Sequence, residues 1–194
     1  MSTDLVTHTF DKDTVIAATR QWLEIAVIGL NLCPFAKSVH VRQQIRFLVS
    51  DATTHAQLRD DLTNELHFLS KCDPALIDTT LLILPGMLTD FLDYRDFLHI
   101  ADRLVRKLKL EGILQIASFH PCYQFAENQA DDISNFTNRS PYPMLHVLRE
   151  SSVERAVAAF PDAGAIVERN LSTMARLGHA GWSALGIPIA PRRD

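Results

Sequence analysis

The segment Phe119–Glu150, FHPCYQFAENQADDISNFTNRSPYPMLHVLRE, holds two His, two Tyr, two Arg, three Asn, two Gln, three Pro and a Cys between two apolar-patterned halves of the chain. A polar stretch of that length is more often a site than a spacer. His120 suits general acid or base work, because an ordinary imidazole titrates near neutrality. The competing role is to cap a strand end through a backbone hydrogen bond. In Asn135-Phe136-Thr137-Asn138-Arg139-Ser140, short donors surround one guanidinium, whose planar fork fits a phosphate or carboxylate. Asx and Ser/Thr turns that hold the loop together would use the same residues. Asn138, Arg139 and Ser140 are therefore candidate ligand contacts, with Tyr123 and Gln124 beside His120. Tyr142 joins them, held in extended backbone between Pro141 and Pro143. Asp131 and Asp132 read as a surface acidic pair before they read as metal ligands. His146 and Arg149 fall on opposite faces if their segment is a strand, because their offset is odd.

Cys33 is the second focus. Pro34 suits the first position of a short helix through Val39, which makes Cys33 the expected N-cap, where a thiolate is stabilised. Lys37 lies one turn on. That arrangement gives a nucleophile or redox thiol; the alternative is a small buried residue at a helix break. Cys33, Cys122, His120 and His146 lack any zinc-ribbon or zincin spacing, so no metal is assigned. There is no Walker loop, GxGxxG or GxSxG, and no cofactor can be named.

The elements that position these residues follow from periodicity. The 194 residues fit one domain, with 47% hydrophobic and 22% charged residues. A net charge of -4 with no basic run argues against nucleic-acid binding. The N-terminus is no signal peptide and the longest apolar run is too short for a bilayer, so no membrane association and a cytoplasmic location are expected. Three unpatterned cysteines fit a reducing compartment. The ends, 1–10 and 190–194, are expected to be flexible.

Apolar steps of three and four predict a helix from about Thr14 to Leu30, capped by Asp13, with Ile16, Leu23, Val27 and Ile28 off its main stripe, so that burial on more than one side is expected. A strand at 44–49, a helix at 54–69, a strand at 79–84, a helix from an Asp90 cap through Lys109 and a strand at 113–119 follow. Residues 144–149 read as a fourth strand or as the first turns of a helix; the spacing of Ser151 and Glu154 as a capping box favours the strand, followed by a helix starting at Ser152. A last helix runs from Pro161 to Leu177, stopped by Gly178. Strand–helix alternation predicts a single α/β layered domain with a small, largely parallel sheet of three to five strands and flanking helices. A ferredoxin-like α+β arrangement is the rival. In such sheets ligands bind beyond the carboxyl ends of the strands, here Ser50-Asp51, Pro85-Gly86 and His120-Pro121.

The strings TRQWLEIAVIGLNLCPFAKSV, LEGILQIASFHPCYQF and TNRSPYPMLHVLRE resemble hallmark segments of an uncharacterised bacterial family, the domain of unknown function 1415 family. The resemblance runs from about Thr14 to Leu185. It implies a bacterial, cytosolic, single-domain protein and assigns no activity to any residue. The residues themselves favour an enzyme, a hydrolase or group transferase, acting on a small anionic metabolite. In that reading Arg139, Asn138 and Ser140 hold the anion, His120 moves protons and Cys33 is a conditional nucleophile. A non-catalytic binding protein and a Cys33 redox protein are the alternatives. Cys33, His120 and Arg139 are expected to converge on one cavity.

Overall fold

The computed structural model describes residues 10–159 and 164–188. Residues 1–9 and 190–194 of the expected flexible ends, and the expected helix start at Pro161, lie outside the described residues. The first helix, α1, is Lys12–Trp22, capped by Asp11, whose carboxylate accepts from the Asp13 amide. The cap is thus two residues earlier than expected. From Leu23–Ile28 the chain continues as a π-helix, not as more α-helix. The wider turn rotates residues off the α1 stripe, which is why Leu23 and Val27 carry apolar side chains there and are buried.

A short helix α2, Ala36–Val41, leads to strand β1, Ile45–Val49. Helix α3, His55–Lys71, has Thr54 as its cap and buries Leu58, Leu62, Leu66 and Leu69. Glu65 also lies on that buried face. It accepts from Arg46 of β1 at 3.1 and 3.2 Å and from the Thr80 hydroxyl at 2.7 Å. Strand β2, Thr79–Ile83, is buried at every position. Helix α4, Phe91–Lys107, begins at the Asp90 cap. Strand β3, Leu114–Phe119, precedes the polar loop, and strand β4, Met144–Arg149, runs straight into α5, Glu150–Ala158. The expected capping box at Ser151 is not used, because the helix starts at Glu150 with no side-chain cap. Helix α6, Ala165–Ala184, is interrupted at Gly178, where φ is 60°. Gly178 does break the helix as expected, but the helix then resumes.

The sheet order is β1-β2-β4-β3. β1 and β2 are parallel, while β4 is antiparallel to both β2 and β3. The architecture is mixed α/β, and the expectation of a largely parallel sheet is corrected. The cause is that α4 carries the chain past one strand position, and β4 returns into that slot. A strand inserted from the end of β3 enters from the carboxyl edge and must run the opposite way.

Alternation divides the core. Leu48, Leu82, Leu145, Val147 and Leu114 pack against α3 and α4. Val49, Leu81, Ile83, Met144 and Phe119 face α1 and α6, with Trp22, Met174 and Trp182. At the carboxyl edge the fully buried Tyr94 fastens α4 to both antiparallel strands. Its hydroxyl donates to Met144 O at 2.6 Å and accepts from Phe119 N at 3.0 Å. Replacing it by Phe leaves both backbone groups without that partner. Tyr94→Phe is expected to lower the urea-unfolding free energy by about 2 kcal/mol with an unchanged m-value. A loss within error of zero would show that the hydroxyl is dispensable.

Candidate functional site

The polar loop and the cavity are two different places. His120 is fully buried on the α4 side, against the rings of Phe91 and Tyr94. Its Nδ1 accepts from Cys122 N at 2.9 Å, so the proton sits on Nε2, which donates to Leu88 O at 3.0 Å. Leu88 has φ of 56°, a left-handed conformation unfavourable for leucine. His120 thus pins a strained turn, and both ring nitrogens are spent on it. Burial pushes its pKa from 6.5 down to about 4, opposed by the Leu88 carbonyl and Asp90.

The rest of the loop bonds mainly to itself. Asn135, fully buried, accepts from Phe125 N and Asn128 Nδ2 and donates to Gln129 O. Gln124 donates to Asn128 O, and Ser140 to Tyr142 O. Asn138 donates to Ser118 O, returning the loop to β3. Tyr123 packs between Phe91 and Phe125, and Tyr142 packs against the α1–α6 core. The Arg139 guanidinium donates to Ala130 O at 2.6 Å and Tyr123 O at 3.4 Å, and lies 4.0 Å from the Phe136 ring centroid. Irregular backbone needs side-chain partners, and these residues supply them.

Cys33 is on the other face of the sheet, packed with the α1–α6 core. The expected convergence of Cys33, His120 and Arg139 is therefore corrected. β3 alternates, so Phe119 faces α1 and His120 faces α4. Helix α2 begins at Ala36 with Phe35 at its N-cap. Cys33 precedes a turn in which its carbonyl accepts from Ala36 N, so it is not the N-cap that was expected. The split also separates Cys33 and His146 from His120 and Cys122. Among the described residues no three His, Cys, Asp or Glu side chains group as a metal site.

The cavity that does form is a cleft of about 690 Å³ over the amino-terminal half of the sheet. Trp22 and the π segment cover the carboxyl half of that face and stop there. Leu81, Ala117, His146 and Leu148 form the floor, and α2 and α5 supply walls through Val39 and Val153. Cys33 is the one candidate from the loop-and-cysteine reading that lines it. His120, Tyr123, Gln124, Asn138, Arg139, Ser140 and Tyr142 do not.

Its polar groups are few. His146 Nε2 meets Thr79 Oγ1 at 2.8 Å on the floor, and burial in this apolar setting pushes its pKa down to about 4. At the mouth, Asp78 is matched by Arg149 at 3.9 Å and by the Ser152 hydroxyl at 2.6 Å. Arg42 donates to Ser38, and Arg155 to Ser152. Both are exposed, and among the described residues neither pairs with a carboxylate. A second groove, about 550 Å³ along β1 and α3, is polar, but its charges are matched internally, as in Arg46–Glu65 and Lys12–Asp51. His146 lies outside the site that the sequence predicts. A lone polar residue on the inward side of an apolar central strand was the available signal.

A mixed α/β fold on a four-stranded sheet, one face of which the described residues cover only in part, is the class of this protein. The chain belongs to the family described as "Protein of unknown function (DUF1415)", whose model matches residues 14–184. No curated protein and no solved structure matched. No helix among the described residues is long and apolar enough to cross a membrane.

Two expectations follow. Arg139→Ala should lower the melting temperature, losing about 1–3 kcal/mol as the Ala130 and Tyr123 carbonyls lose a charged donor. Unchanged thermal unfolding would restore Arg139 to a ligand role. Both depressed histidines are neutral when folded and gain protons near pH 6.5 when unfolded. Their contribution is fully present above pH 6.5 and is lost as pH falls toward about 4. Urea titrations across that window should show stability falling with acidification, at up to about 1.4 kcal/mol per pH unit per histidine. His120→Gln should remove about one proton from that slope; an unaltered slope would refute the assignment.

Proposed function

We propose that this protein binds a small amphipathic anion in the cleft over the sheet. The observation that carries the reading is the pairing of an apolar cavity with exposed arginines at its mouth that, among the described residues, have no carboxylate partner. Trp22, Phe119 and the aliphatic floor suit a ligand's apolar body, whose burial drives binding. Arg42 and Arg155 suit a carboxylate or sulfonate at the entrance. Local positive charge in a chain of net charge -4 makes this mouth a favoured approach for anions. Binding is preferred to covalent chemistry because Cys33 has no helix N-terminus behind it and His120 has no free ring nitrogen.

Anilinonaphthalene sulfonate, an aromatic body with one anionic group, is a direct probe. The native protein should enhance its fluorescence with one saturable site. Ala117→Trp, which fills the floor, should abolish the response. Charge reversal at Arg155 (Arg155→Glu) should weaken binding about tenfold, in proportion to a lost charged contact. A response that survives Ala117→Trp overturns the reading. So does a native dimer that Ala117→Trp dissociates, which would give the cleft to a second copy of the chain.

A further inference from the structure

We infer that the cleft selects an acid that also carries a hydroxyl group, which donates to His146 Nδ1. This rests on the cleft-binding reading above and names its ligand class more closely. The Thr79 hydroxyl has a single proton, and Val147 O accepts it at 2.7 Å. Toward His146 Nε2, Thr79 therefore presents only a lone pair, and the 2.8 Å contact requires the proton on Nε2. A neutral imidazole with Nε2–H has a bare acceptor at Nδ1. Burial keeps the ring neutral across the physiological range.

That acceptor has no hydrogen-bond partner among the described residues. Nor is it sealed, since the one fully buried side-chain polar atom without a hydrogen-bond partner among them is Arg149 Nε. His146 stands on the cleft floor, with Phe119 beside it at 6.0 Å between ring centroids. Nδ1 is therefore open to whatever occupies the cleft. A plain apolar chain lying over it would remove it from water and give nothing back, which is the costly case for a polar atom. A hydroxyl placed there satisfies both partners. A cationic donor is disfavoured by the arginines at the mouth, so a neutral O–H is the matching group. The ligand is then an apolar body with an anionic end for Arg42 and Arg155, and a hydroxyl along its length.

Decanoate and the set of monohydroxydecanoates, with the hydroxyl at successive carbons, are the probes, and calorimetry gives each Kd. The native protein should bind one or two of the hydroxy acids between about threefold and about tenfold more tightly than decanoate, the range of one neutral hydrogen bond. His146→Leu should bind decanoate at least as well and lose the preference. Thr79→Val removes the lone pair that fixes the tautomer, and should shrink the preference while decanoate binding is kept. Decanoate bound as well as every hydroxy acid, or a preference that survives His146→Leu, overturns the hydroxyl assignment and leaves the cleft as an anion site. Binding of none of these acids overturns the cleft reading and the inference together.

Discussion

The need to pair both edges of one strand shapes this molecule. β4 lies between β2 and β3 and is antiparallel to each. Its amides and carbonyls are removed from water on both sides, so the chain must deliver it in register into a slot already bounded by two strands. The approach is across the carboxyl edge, where β1, β2 and β3 all end. The connection from Phe119 to Met144 crosses that edge, and Tyr94, His120 and Asn138 tie it down there. Leu84 N reaches Pro143 O at 2.9 Å in the same band of contacts. The polar richness of the loop is therefore a consequence of topology. A long irregular path over a sheet edge must bring its own hydrogen-bond partners.

This explains what could be read from the sequence. The bounds of α3 and α4 were legible because leucine periodicity and the Thr54 and Asp90 caps act locally. Each strand was legible to within a residue or so for the same reason. The strand order was not, because nothing within MLHVLR says which strands will flank it. Its apolar residues on both faces suit the central position it takes. The π segment was visible only as apolar residues off the stripe, since the sequence shows a change of facing and not the turn that causes it. At the site, composition does not separate two uses of the same residues. Asn135 and Arg139 have the chemistry of ligand contacts and are used on backbone carbonyls and amides, as His120 is. The cleft gathers Cys33, Thr79 and His146 from three separate segments, one polar group at a time, and no local window contains that pattern.

The two faces of the sheet differ in how completely they are covered. α3 and α4 are long, parallel crossovers and bury their face with leucines. On the other face the described cover is assembled from α1, the π segment and α6, which concentrate on Trp22, Met174 and Trp182. What they leave open is the floor of the cleft. The buried polar groups follow the same division. Glu65 on the closed face is matched by Arg46 and Thr80. His146 on the open face is matched at one nitrogen only.

The position of β4 also fixes an order of events in the life of the chain. Among the described residues β3 has no sheet partner other than β4, so a nascent chain ending before Met144 holds β3 without that partner. β1 and β2 are parallel neighbours joined by the single crossover helix α3 and can pair early. The remaining half of the sheet waits for residues 144–149 to leave the ribosome. Until then Leu114, Ile116 and the β2 edge expose apolar surface and unpaired amides together, the combination that recruits chaperones or misassociates. The sheet therefore cannot close before β4 has been made, and truncation anywhere upstream of β4 removes a central strand instead of trimming an edge.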